Sequence, residues 1–195
     1  HQAVIRSRAR LTYNEVQRYF DKDGNSSLKA LLEEDQSKSI DHLIGVYKAL
    51  MIQRELRGAL DFQAREGSPV LVGSEVQEFR PVERLIAHKI IEESMICANV
   101  CAAKLIRESE SLALFRIHEA PVLSKLADLR NFQAFADYPW PDKEIATGDI
   151  KSLLEALPKT EEGNVMERMV LRSMSQARYE PSGNGHFGLA LEDYV

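Results

Sequence analysis

The sequence predicts an α+β chain, mainly helical, built on one long core helix with a few short strands. Three observations carry that expectation. Residues 81–108 hold neither glycine nor a second proline, and they open at a proline suited to a first helical position. Other runs with helical spacing follow Thr12, Ser39, Pro121, Thr147 and Asn164, whereas the strand-like runs stay short. With 195 residues, 44% hydrophobic and 28% charged, the chain can bury one core of ordinary size and reads as one domain.

Within 81–108, a step of about 100° per residue spreads Leu85, Ile86, Ile90, Ile91, Ile96, Cys97, Val100, Cys101 and Ile106 around most of the helix. Such a helix is packed by neighbours on several sides. Lys89, Glu93, Lys104 and Arg107 form a stripe expected to face water. Arg84, His88, Glu92 and Asn99 share a separate arc of roughly 80°. That arc reads as a polar seam whose members pair with one another, with His88 one turn from Glu92. It also reads as one wall of a cleft, because a carboxylate in so apolar a helix needs something on its oxygens.

The remaining elements follow in order. Residues 3–13 read as an extended strand with Arg6, Arg8 and Arg10 on one face, either solvated or lining a path for phosphates. Thr12 and Glu15 make a capping box for a helix whose apolar side is Val16, Tyr19 and Phe20. Residues 21–27 place oxygens at calcium-loop spacing, but the glycine is displaced and Leu32 stands where the loop needs Glu, so a polar connection is expected. A short acidic helix at 28–34 precedes a helix at 39–57, with Leu43, Val46, Leu50 and Met51 inward and Gly58 closing it. Residues 59–62 read as a strand, and 70–73 with 75–79 as a ribbon turning near Gly73 and Ser74. Phe62 suits a core, and it is also the residue type that stacks a base without reading it.

After the long helix, 113–117 is a compact strand carrying Arg116, and a helix is expected over 121–135. Tyr138-Pro-Trp-Pro is a turn, and residues 147–157 form a short helix. Asn164 is expected to cap a last helix that buries Val165, Met169, Val170 and Met174. Residues 180–185 read as loop and 186–191 as a closing strand without an evident partner.

Composition excludes more than it assigns. A net charge of -5 and a pI near 5.6 argue against electrostatic wrapping of a nucleic acid, while leaving room for a narrow basic channel. No apolar run is long enough to span a membrane, and neither an initiator methionine nor a hydrophobic leader opens the chain. Cys97 and Cys101, one turn apart on the apolar side, read as buried free thiols rather than a disulfide or zinc site, in keeping with a reducing cytoplasm. The patterns of a serine or cysteine triad, a glycine-rich phosphate loop and a dense aspartate cluster are not found. Spacing alone names no reaction.

Five motifs in register change the reading. Ala-Val-Ile-Arg-Ser-Arg-Ala-Arg-Leu-Thr-Tyr ending at Tyr13, Arg57-Gly-x-x-x-Phe62, Ala-His-Lys-Ile-Ile-Glu-Glu-Ser-Met-Ile-Cys-Ala-Asn ending at Asn99, Leu-Phe-Arg-Ile-His-Glu-Ala-Pro ending at Pro121 and Gly-His-Phe-Gly-Leu-Ala-Leu ending at Leu191 resemble, in order, the catalytic (RNB) domain of the RNase II/RNase R family. Their wording is closer to the RNase R branch. The resemblance implies a processive 3′-to-5′ exoribonuclease that threads single-stranded RNA into a channel and hydrolyses it to 5′-nucleoside monophosphates with Mg²⁺. It places Tyr13 near the scissile end, Phe62 against the terminal base and Glu92 on the terminal nucleotide. It makes Arg116 a phosphate contact or a support for Glu92 or Glu119.

In the family, the metal-binding aspartates and a second base-stacking tyrosine lie upstream of the first motif, and an arginine-rich phosphate-gripping motif follows the last. Residues 1–195 are therefore expected to be a middle-to-late portion of one such domain, truncated at both ends. By itself this portion is expected to be inactive, to bind no metal and to be open to self-association through uncovered apolar surface. The alternative is a non-catalytic helical module that binds RNA or a protein.

Overall fold

The computed structural model describes residues 3–21, 32–62, 67–132, 135, 138–140 and 144–195. In chain order its elements are α1 (Tyr13–Phe20), α2 (Glu34–Arg57), β1 (Gly67–Val72), β2 (Glu75–Pro81), α3 (Ile86–Glu108), β3 (Phe115–Ile117), α4 (Leu123–Asn131), α5 (Thr147–Ala156), α6 (Glu161–Ser173), β4 (Arg178–Glu180) and a 3-10 turn (Phe187–Leu189). The fold is α+β and mainly helical, as the sequence predicts. The chain divides into two compact units, 1–52 with 83–97 and 53–82 with 98–195.

In the first unit, the expected capping box starts α1: Glu15 N–H donates to Thr12 Oγ1 at 3.3 Å, and Thr12 N–H donates to Glu15 Oε2 at 2.7 Å. Tyr19 Oη donates to Asp41 Oδ1 at 3.0 Å, tying α1 to α2. Helix α2 begins at Glu34, five residues before the expected start at Ser39, with Glu34 and Asp35 in its first turn where the helix dipole favours carboxylates. The calcium-like loop after Asp21 and most of the short acidic helix at 28–34 lie outside the described residues. Residues 3–12 are not a strand. They form no ladder among the described residues, and Val4 and Ile5 are exposed. A strand without a partner has no hydrogen bonds to hold it extended.

Helix α3 starts at Ile86 rather than Pro81, because Pro81 ends β2 opposite Gly67 in the ribbon. The helix start is fixed by His88, whose Nδ1 accepts from Leu85 N–H at 3.2 Å. In the 83–97 stretch the buried positions are Ala87, Ile90, Glu93 and Ile96, three residues apart. Glu93 therefore lies on the covered side, only 5% exposed, and not on a wet stripe. Cys97 and Cys101 are exposed, against the expectation. In the second half of α3 the covered stripe runs through Asn99, Ala103 and Ile106, and Cys101 projects roughly 200° away from Ala103.

In the second unit, Leu60, Leu126, Leu129, Phe135, Ile145, Ile150, Leu153, Met166, Val170 and Met174 make the main core, with Phe62, Tyr138, Trp140 and Phe187 packed on its edge. The ribbon β1–β2 is antiparallel, turns at Gly73 (φ +65°), and carries a bulge at 70/71. Residues 59–62 are not a strand: Ala59 and Leu60 are buried as an irregular link, its hydrogen bonds supplied by side chains and a distant turn. Helix α4 covers Leu123–Asn131, shorter than expected, with Phe135 in a separate turn and residues 133–134 outside the described set.

Helix α6 starts at Glu161, capped by Thr160 rather than Asn164. Its buried side is Met166, Val170 and Met174, with Met169 half-buried and Val165 exposed. The closing segment is not a strand either. His186 makes isolated bridges to His118 and Leu191, a 3-10 turn follows, and Ala190 is left-handed (φ 49°). The partner of β3 is β4, pairing Phe115 with Glu180 and Ile117 with Arg178 in a region expected to be loop from residue 180.

Gly163 faces the backbone of Pro158 so closely that a Cβ would lie 1.7 Å from Pro158 O. Gly163→Ala must shift the first turn of α6, and a loss of about 2 kcal/mol or more is expected. A thermal melt of the two proteins checks it.

Candidate functional site

Two groups of polar side chains stand out, one in each unit. The first is built on the start of α3. Arg84 precedes the helix, and its Nη2 donates to both oxygens of Glu92, at 2.6 Å to Oε1 and 2.5 Å to Oε2. Glu92 thus pairs with Arg84, eight residues away, and not with His88. The pair is half-exposed, with side chains 41% and 33% accessible. His88 uses Nδ1 to accept Leu85 N–H, which leaves Nε2 as its protonated nitrogen in the neutral ring. Its ring lies on Tyr13, with centroids 4.2 Å apart and planes tilted by 37°. Tyr13 is the first residue of α1 and is 46% exposed, so the capping box that starts α1 also places this phenol.

The arc inferred from the sequence is thus partly assembled. Arg84, His88 and Glu92 stand together with Tyr13. Asn99 belongs to the second unit, where its Nδ2 donates to Tyr194 Oη at 3.0 Å.

The second group surrounds the 3-10 turn. His118 Nδ1 accepts from Gly188 N–H at 2.9 Å, so Nε2 carries the proton and donates to Ser175 O at 2.8 Å. His186 stacks obliquely on His118 at 5.0 Å, and its Nδ1 accepts from Leu189 N–H at 3.2 Å. Burial holds His118 below the ordinary imidazole range. Burial, reinforced by the charge His118 would carry, pushes His186 down to about 4. Backbone bonds complete the join: Phe187 N–H to His118 O at 2.7 Å, His118 N–H to Gly185 O at 3.1 Å and Arg116 N–H to Tyr194 O at 2.8 Å.

Arg116 is the middle residue of β3, opposite Tyr179 of β4. Its guanidinium lies 5.5 Å from the Tyr179 ring centroid, with Nη1 3.4 Å from Tyr179 Oη. Glu119 is held by Arg178 at 2.6 and 2.9 Å, and Glu92 by Arg84. Phe62 is half-buried at the core's edge, satisfying its core reading while leaving part of the ring accessible. Sequence reasoning gave no role to Arg54, His118 or His186. The signal for the two histidines was their place inside quoted motifs, and for Arg54 its position one turn before Arg57.

The residues present do not fit a divalent-cation site. Among the described residues, no three His, Cys, Asp or Glu side chains gather to hold a metal, and both oxygens of Glu92 face a guanidinium.

The fold and these groups define a mainly helical α+β domain with its polar chemistry on α3 and on the edge of β3. The RNB domain family matches residues 1–195, and the chain belongs to that family. It is 34% identical over 199 residues to Ribonuclease R of Escherichia coli, covering 100% of this chain and 24% of that protein. It is 32% identical over 197 residues to Ribonuclease R of Aquifex aeolicus, covering 100% and 28%. The chain thus spans about a quarter of the length of these curated relatives.

Among solved structures, it is similar to Mycoplasma genitalium RNase R in complex with ribose methylated single-stranded RNA. The TM-score is 0.83 at 19% identity, over 94% of this chain and 28% of that one. Yeast Ssd1, described as a pseudonuclease, is similar with a TM-score of 0.63 at 15% identity, over 95% and 22%. Both likenesses show the fold.

Because His186 and His118 titrate below their unfolded value, the unfolded chain binds more protons than the native one as pH falls from 6.5 toward 4. Their contribution is fully present above pH 6.5 and is lost through that window. The melting temperature is expected to fall across it, and His186→Gln is expected to flatten the part of the slope that the wild type owes to this ring.

Proposed function

We propose that the full-length protein containing this chain is an exoribonuclease that degrades single-stranded RNA processively from the 3′ end to 5′-nucleoside monophosphates. Residues 1–195 are read as a middle-to-late portion of its catalytic domain. The observation that carries the reading is the membership of the whole chain in the RNB family, alongside relatives named Ribonuclease R. A cytoplasmic location goes with that reading, and no helix of the described residues is long and apolar enough to cross a membrane.

The roles are assigned residue by residue. Glu92 accepts hydrogen bonds from the terminal nucleotide, and Arg84 fixes the plane of its carboxylate. Tyr13, steadied by the His88 ring, lies near the scissile end. Phe62 offers its accessible part to the terminal base, which needs only a π-face. Arg116, half-exposed in the middle of β3 and lying on Tyr179, contacts phosphate. Mg²⁺ is the cofactor the family implies for the whole enzyme, held by residues other than these.

A second reading is favoured by one observation: the fold is shared with a protein described as a pseudonuclease. In that case the chain is a binding module without hydrolysis.

Incubation with a 5′-labelled single-stranded RNA and Mg²⁺ separates the readings. The full-length protein is expected to shorten the labelled strand from its 3′ end to a short remnant that keeps the 5′ label, and the 195-residue chain alone is expected to leave it intact. Glu92→Ala in the full-length protein is expected to lower kcat/KM about ten- to a hundredfold, the value of a hydrogen bond to a charged group. A full-length protein that binds this RNA without shortening it would establish the binding module instead. Self-association of the isolated chain completes the proposal, read as a concentration-dependent mass by light scattering.

A further inference from the structure

Arg54 is a buried charge that the reading above leaves without work. It stands in the last turn of α2, only 6% exposed. A guanidinium so covered is retained when its donors are bound to something whose position matters. Its Nη2 donates to Leu60 O at 2.7 Å and lies 3.9 Å from Asp61 Oδ1. The backbone carbonyl of Arg54 also accepts Ala59 N–H, at 3.3 Å, just after the chain reverses at Gly58 (φ +77°).

The link from Gly58 to Phe62 has no ladder of its own, so these contacts decide its path. Leu60 N–H donates to Gly188 O at 2.8 Å, and Arg57 Nε donates to Leu189 O at 2.8 Å. Leu60 is therefore gripped at both polar backbone atoms, its N–H by the 3-10 turn and its C=O by Arg54. Fixing that carbonyl fixes the peptide plane between Leu60 and Asp61, and with it the direction in which the chain delivers Phe62 two residues on. The Leu60 side chain is buried in the core, but a side-chain anchor leaves the following peptide free to rotate.

We propose that Arg54 is a positioning residue: it aims Phe62 by holding the Leu60 carbonyl and the neighbouring Asp61. This rests on the reading of Phe62 as the terminal-base platform. Arg54 touches no RNA in this account and acts through the link alone. Its loss therefore removes the gain from a terminal base without weakening the hold on the rest of the strand.

The test is equilibrium binding by the full-length protein in EDTA, so that nothing is cleaved. It compares a 5′-fluorescein single-stranded RNA ending in adenosine with the same RNA ending in an abasic ribose. The wild type is expected to prefer the base-ended RNA roughly tenfold, the scale of one base stacked on an aromatic ring. Phe62→Ala is expected to remove most of the preference, the upstream tyrosine keeping the rest. Arg54→Lys, which keeps the charge but loses the guanidinium's reach, is expected to bring it within about twofold of Phe62→Ala while binding the abasic RNA like the wild type. Arg54→Lys with Phe62→Ala is expected to add nothing to Phe62→Ala alone.

A folded Arg54→Lys protein that keeps the full preference overturns the proposal and leaves Phe62 as the platform. Loss of abasic-RNA binding in both Arg54→Lys and Arg54→Gln also overturns it, making Arg54 a general fold residue. A Phe62→Ala protein with an undiminished preference removes the platform reading itself, and the role of Arg54 with it.

Discussion

The second unit depends on satisfying the backbone of a turn that belongs to no regular element. Residues 185–191 are half-buried, so their N–H and C=O groups need partners that a helix or sheet would otherwise supply. They find them in three places. Gly188 N–H goes to the His118 ring and Phe187 N–H to the His118 backbone, while the carbonyls of Gly188 and Leu189 take Leu60 N–H and Arg57 Nε. Three of the motifs that carried the family resemblance, at 57–62, 114–121 and 185–191, are thereby one hydrogen-bonded junction. Their joint appearance in the sequence has a physical reason: no one of them can close its polar groups alone.

Gly188 shows how tight the junction is. A Cβ there would come within 3.1 Å of His118 Nδ1, the atom that accepts the Gly188 N–H. The imidazole must then be neutral at Nδ1, and the local burial that lowers both histidines serves the same end. A charged ring would lose its acceptor and release the turn. The junction therefore depends on the protonation state of His118 as well as on packing, which links the fold of this unit to pH.

Much of the local structure was legible because it is written locally. The Thr12–Glu15 capping box, the Gly58 stop and the Gly73 ribbon turn are each decided by residues within a few positions of one another. What failed was decided at longer range. The alternating His-Phe-Gly-Leu-Ala-Leu reads as a strand, yet contacts from His118, just past the end of β3, hold it in a turn. Asn164 loses the cap of α6 to Thr160, where Gly163 lies against Pro158. Strand β4 is too short to show a period. On α3, the sequence located the polar arc but paired Glu92 with His88, because Arg84 reaches the carboxylate from ahead of the helix start.

That last pair bears on where function resides. The junction residues are buried or half-buried and hydrogen-bonded, so the fold itself is a sufficient reason for them. Arg84 and Glu92 differ. Their ion pair is half-exposed, a setting in which such pairs add about 1 kcal/mol or less to stability. Tyr13, at the head of α1, is exposed too, and rests on the His88 ring. Stability thus accounts for little of this ion pair and this ring stack. The physics of stability therefore separates the scaffold at 57–61, 118 and 186–189 from the candidate chemistry at Tyr13, Arg84 and Glu92.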